Sequence, residues 1–147
     1  MKQIPKKEQI KLELEGTTKQ EVIKELISLI DKSGNLTSKE EFYKDILARE
    51  KKGSTGMGKR IAIPHVRSHA VEKTTVAFAR SKEGVDFNSL DDKAAKLFFM
   101  LAVPKQGSQE YLDLLTHLSQ QLRYADFRNK LLEAESKEKI RDILAES

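Results

Sequence analysis

The stretch from Gly53 to His65 gathers the residue types in this chain best suited to chemistry. Gly53-Ser54-Thr55-Gly56-Met57-Gly58-Lys59-Arg60 holds three glycines in eight residues, Ile61-Ala62-Ile63 follows as a short apolar run, and Pro64 stands directly before His65. Each feature has a use if the histidine handles phosphate. Glycine lets backbone N–H groups close on an anion as a concave nest, which makes Gly56 a candidate phosphate contact. Ser54 and Thr55 add hydroxyl donors. Pro64 restricts its own backbone and that of Ile63, so His65 is presented at a defined angle.

An imidazole suits the part of phosphoryl acceptor near neutral pH. Its ordinary pKa of about 6.5 leaves much of it neutral, with a lone pair on one ring nitrogen. A phosphoryl group in transfer spreads charge over three equatorial oxygens, so the protein's task is positioning and donors aimed at those oxygens. Arg49 offers a fixed fork of N–H donors. Lys51, Lys52, Lys59, Arg60 and Arg67 surround the same region in sequence and give it a positive field. His65 and Arg49 are therefore the catalytic candidates. On spacing alone, the stretch also fits an ordinary turn beside a packed or exposed imidazole.

The elements that must hold this stretch are legible from periodicity. Ile10, Leu12 and Leu14 alternate with charged residues as a short half-buried strand. Thr18 and Glu21 form a capping-box pair ahead of an apolar face of Val22, Ile23, Leu26, Ile27 and Ile30, and Gly34 stops that helix. Ser38 and Glu41 repeat the signal before Phe42, Tyr43, Ile46 and Leu47, predicting a second helix that ends before Gly53. Gly53 to Arg60 reads as a loop, and Ile61 to Ile63 as a strand cut off by Pro64. Thr74 to Ser81 is a further strand, with Val85 to Phe87 as a short edge piece. Ala94 to Val103 reads as a central strand buried on both faces and ended by Pro104. A helix follows with Leu112, Leu114, Leu115, Leu118 and Leu122. A broken pair then carries Phe127, Leu131 and Leu132, and Ile140, Ile143 and Leu144. Strands alternating with helices predict an α/β single-domain sandwich with a mixed sheet of about five strands.

Composition narrows the function classes. The chain of 147 residues has no cysteine, which excludes disulfides, thiolate metal sites and a cysteine nucleophile. The N-terminal Met1-Lys2-Gln3-Ile4-Pro5 has charge but no apolar stretch behind it, so no signal peptide is expected. The longest nearly apolar run, Ala94 to Val103, falls short of the ~20 residues that span a bilayer. A cytoplasmic protein without membrane insertion is expected. Net charge is +4 with both signs interleaved, a balance that does not demand nucleic acid. A nucleic-acid module would interleave aromatics with a basic face, and aromatics are only 6% of this chain. His65 and His69 stand four apart, but Pro64 opposes a helix there and no third ligand is evident, so no metal is expected. His69 reads as an exposed loop residue and His117, off the Leu112–Leu115–Leu118–Leu122 stripe, as a surface one. Asp86, Asp91 and Asp92 read as solvated loop carboxylates, and Phe98 and Phe99 as core.

Gly58-Lys59-Arg60-Ile61-Ala62-Ile63-Pro64-His65, preceded by Arg49-Glu50 and Ser54-Thr55-Gly56, resembles the signature of the fructose/mannitol-type (type 2) enzyme IIA domain of the bacterial sugar phosphotransferase system. The similarity runs over nearly all 147 residues. It implies one IIA domain over 1–147, with His65 taking phosphate on Nε2 from the phosphocarrier protein HPr. His65 would then donate it to a cysteine of enzyme IIB during uptake of a fructose/mannitol-class sugar. It further implies that Arg49 lies near the phosphate and that no cofactor is needed. A regulatory relative, whose His65 phosphorylation state controls a binding partner, is the second reading. Two positions depart from the family. Arg60 stands where glycine is frequent, and Tyr111, in Glu110-Tyr111-Leu112, stands where a second histidine is usual. A tyrosine there can still hydrogen-bond a phosphate, but it carries no positive charge.

Overall fold

The computed structural model describes residues 1–106 and 109–147. Among these residues a six-stranded mixed sheet is flanked by helices on both faces. In chain order the elements are β1 (Ile10–Lys11), α1 (Lys19–Asp31), α2 (Lys39–Lys52), β2 (Gly56–Gly58), β3 (Ile61–Ala62), β4 (His65–Ser68), β5 (Thr75–Val85), β6 (Ala95–Pro104), α3 (Gln109–Gln121), α4 (Ala125–Glu133) and α5 (Lys137–Ala145). The expected α/β sandwich is what forms, with one strand more than expected. Among the described residues, no helix is long and apolar enough to cross a membrane.

Local chemistry starts the helices where the sequence places them. Thr18 closes a full capping box with Glu21 at the head of α1, and Ser38 accepts from the Glu41 N–H at the head of α2. Each cap stabilises its helix by about 1 kcal/mol. α2 runs to Lys52 and stops at Gly53.

β6 is the spine of the sheet. It pairs antiparallel with β5 on one side and parallel with β3 and β4 on the other. Alternate side chains of β6 serve two cores. Phe98, Met100 and Ala102 pack with Val22, Leu26, Ile30, Phe42 and Ile46 of α1 and α2. Leu97, Phe99, Leu101 and Val103 pack with Leu114, Leu118, Leu122, Leu131 and Ile140 of α3–α5. That two-sided burial explains a nearly continuous apolar run.

Three expectations need correction. The glycine loop contains a strand, β2, which forms an antiparallel hairpin with β3. Pro64 does not end the strand run: β3 and β4 keep one register along β6, with Ile61 opposite Leu97 and His65 opposite Leu101. The proline lacks an N–H, but its carbonyl accepts from the Leu101 N–H at 3.0 Å, so the pairing passes through it. On α3 the buried stripe is Leu114 and Leu118, continued by Leu122 just past the helix, while Leu112 is 51% exposed. The helix is thus turned so that Tyr111 and Leu115, not Leu112, border the core.

Candidate functional site

His65 opens β4 at the edge of the sheet, half-buried. Its Nδ1 lies 2.6 Å from the Ile63 carbonyl oxygen. A carbonyl only accepts, so Nδ1 carries the proton, and in the neutral ring Nε2 holds the lone pair. Burial is the main force holding this imidazole below its ordinary pKa. The Arg49 charge acts in the same direction, while the Ile63 bond and the Glu50 charge oppose it. At neutral pH the ring is therefore uncharged, with its lone pair on Nε2.

Arg49 sits in the last turn of α2 and donates from Nη1 to the Gly53 carbonyl at 2.8 Å, closing its own helix. Its other N–H groups make no hydrogen bond or ion pair with the described residues. From the opposite layer, α3 brings Tyr111 against His65, with ring centroids 5.8 Å apart and planes at 39°. Burial pushes the Tyr111 phenol up, against the Arg49 and Arg67 charges, so it remains a protonated donor.

The Gly/Ser/Thr stretch is arranged differently from its sequence reading. Ser54 donates its hydroxyl proton to the Phe87 carbonyl and accepts from the Gly56 N–H at 2.9 Å. Thr55, buried, donates its hydroxyl proton to the Glu50 carboxylate, and its N–H reaches the other Glu50 oxygen at 3.2 Å. The Thr55 carbonyl accepts from the Ile63 N–H at 3.0 Å, directly below the histidine's anchor. Gly56 is a close-packing position: a Cβ there would lie 2.4 Å from Ser89 Oγ and 3.0 Å from the Phe87 oxygen. In this arrangement the Ser54, Thr55 and Gly56 donors are engaged internally. They build the floor under His65.

Sequence reasoning missed the hub of that floor. The Glu50 side chain, 6% exposed, is paired to Lys19 Nζ at 2.8 Å as well as to Thr55. Lys19 also sits 4.9 Å over the Phe87 ring. One buried carboxylate thus ties α1, α2, the loop and the segment after β5 together. The Arg49-Glu50 pair was visible in sequence, but nothing marked Glu50 as an organiser.

Of the surrounding basic residues, the fold brings Arg67 to the site, with its Cζ 5.8 Å from the Tyr111 ring centroid. Lys59 and Arg60 form the β2–β3 turn and face the segment after β5. The Lys59 N–H binds Asp91 at 2.9 Å, and Arg60 Nη1 lies 3.4 Å from the Ala94 oxygen. Both take positive φ, 55° and 66°, the two-residue turn geometry in which glycine is favoured. His69 is exposed, and His117 is half-buried with Nε2 3.2 Å from Ser147 Oγ.

An α/β sheet with an uncharged imidazole presented at its edge beside free guanidinium and phenol donors suits transfer of an anionic group. The chain belongs to the EIIA 2 family of the phosphoenolpyruvate-dependent sugar phosphotransferase system, whose family model matches residues 3–147. It is 46% identical over 139 residues to the fructose-specific EIIA component of Haloferax volcanii, covering 95% of this chain and 90% of that one. Among solved structures it resembles the nitrogen regulatory protein IIA-Ntr of Neisseria meningitidis, at 35% identity and a TM-score of 0.89 over 96% of each chain. It also resembles the mannitol enzyme IIA of Escherichia coli, solved in complex with phosphorylated enzyme IIB, at 27% identity and a TM-score of 0.81. That match covers 95% of this chain and 96% of the other.

Proposed function

We propose that this chain is a phosphotransferase that accepts phosphate on His65 Nε2 from the phosphocarrier protein HPr and donates it to a cysteine of enzyme IIB. The cargo is a fructose/mannitol-class sugar, and residues 1–147 act in the cytoplasm as one IIA domain. The observation that carries the reading is the 2.6 Å contact of Nδ1 with the Ile63 carbonyl, which leaves Nε2 unprotonated. The Nε2 lone pair attacks phosphorus as the bond from phosphorus to the donor's nitrogen breaks, its electron pair staying on the donor ring. Nδ1 keeps its proton, and the Ile63 carbonyl steadies the charge that the phosphorylated ring gains. Arg49 and the Tyr111 phenol supply donors to the phosphate oxygens.

A second reading is favoured by the likeness to a nitrogen regulatory IIA. In it, His65 is phosphorylated as above, but the phosphorylation state controls a binding partner. One experiment separates the two. After incubation with phosphoenolpyruvate, enzyme I and HPr, mass spectrometry should show one phosphoryl group, labile to acid and absent in His65→Ala. Discharge of that group onto a IIB cysteine supports transport, and retention in the presence of competent IIB supports regulation. An acid-stable adduct, or one persisting in His65→Ala, contradicts both.

A further inference from the structure

β4 alternates its side chains between the two layers. Val66 packs against the α1–α2 core, and Ser68 donates to Asp45 of α2 at 2.6 Å. His65 and Arg67 therefore share the other face, the one on which Tyr111 of α3 packs. Tyr111 touches both: its ring is 5.8 Å from the imidazole centroid and 5.8 Å from the Arg67 Cζ. Arg67 is exposed and makes no hydrogen bond or ion pair with the described residues, so its fork of donors is unoccupied. The Tyr111 hydroxyl likewise has no hydrogen-bond partner among them. Arg49 and Arg67 both bear electrostatically on this phenol.

We propose that Arg67, steadied on the Tyr111 ring, is a second guanidinium that grips the phosphoryl group during its transfer to and from His65. The proposal rests on His65 being the phosphoryl acceptor. As the Nε2–P bond forms and the donor's bond to phosphorus breaks, negative charge stays on the three peripheral oxygens. A planar fork can meet two of these oxygens at once, which an ammonium cannot. Stacking on an aromatic face restricts a long side chain that would otherwise sample many rotamers. Tyr111 is then both a hydroxyl donor and the platform for Arg67. No proton moves in this step. A basic residue on an edge strand also discourages pairing with another chain's strand, and that role alone would leave transfer rates unchanged.

The test is rapid-quench transfer from purified phosphorylated HPr to the full chain as wild type, Arg67→Gln, Arg67→Lys, Tyr111→Leu and the Arg67→Gln/Tyr111→Leu double variant. Arg67→Gln should slow transfer about 100-fold, the low end of the range for losing one preorganised donor at a transition state, with the melting temperature unchanged. Arg67→Lys should restore only part of the rate. The double variant should be little slower than the slower single one, because both remove the same grip. The phenol pKa of Tyr111, followed by labelling its Cζ with ¹³C, should rise in Arg67→Gln as an opposing charge is lost. Transfer to Arg67→Gln within twofold of wild type would overturn the proposal while leaving the His65 reading intact. Full activity of Arg67→Lys would overturn the fork, and additive losses in the double variant would overturn the platform. Failure of wild type to take up phosphate defeats the underlying reading instead.

Discussion

The Ser54–Gly56 stretch ahead of Pro64 and the His65–Arg67 stretch behind it both place polar groups near basic side chains, but the fold uses them in opposite ways. Before the proline, the Ser54 and Thr55 hydroxyls and the Gly56 N–H are bound to Phe87, Glu50 and Ser54. After it, His65 keeps Nε2 free and Arg67 makes no hydrogen bond or ion pair with the described residues. Engaged donors and free ones thus fall on opposite sides of one residue. A glycine-rich stretch ahead of a histidine invites reading as an anion nest, and here the Thr55 carbonyl also holds Ile63, whose own carbonyl anchors the imidazole.

The division can be broken most severely at Glu50. Removing its carboxylate in Glu50→Ala strands Lys19 and both Thr55 donors, and breaking such a buried pair costs about 3 kcal/mol. Chemical denaturation should show that loss, together with slower phosphate uptake because the floor under His65 loosens. Ser54→Ala sharpens the contrast. It should cost about 1–2 kcal/mol through the unpaired Phe87 carbonyl, yet leave transfer within about twofold. A tenfold loss of rate at unchanged stability would return Ser54 to the phosphate site.

A stabilising change tests the hairpin. Lys59 and Arg60 both sit at positive φ, so replacing them with Asn-Gly should raise stability by about 1 kcal/mol without altering transfer. The smallest effect is on pH. Burial holds both His65 and His117 below the ordinary imidazole pKa. Below about pH 6.5 the unfolded chain therefore binds more protons than the folded one. Stability present above that pH should decline as pH falls through the window down to the folded values, and His65→Gln should flatten part of the slope.

What the sequence made legible was local. The Thr18 and Ser38 caps, the stop at Gly53 and the two-sided apolar run of β6 all rest on neighbours in the chain or on strict periodicity. β2 escaped because its hairpin lacks a turn signal, and β4 because its pairing is with β6, far along the chain. Gly56 pairs with Ala62 across a turn that carries positive φ at Lys59 and Arg60, a turn for which the sequence offered no glycine signal, and β4 continues past Pro64 through that residue's carbonyl. Within the site, His65 and Arg49 were read from residue type and order. The engagement of Ser54 by Phe87, 33 residues away, had no local signature. Arg67 was indistinguishable from four other basic residues until strand alternation assigned it a face.

The measurement that bears most directly on the central claim is ¹⁵N NMR of the histidine-labelled protein after phosphorylation by HPr. Phosphorus should couple to Nε2 of His65, with Nδ1 still bonded to the Ile63 carbonyl. Phosphorus on Nδ1, or on a side chain other than His65, would contradict the account.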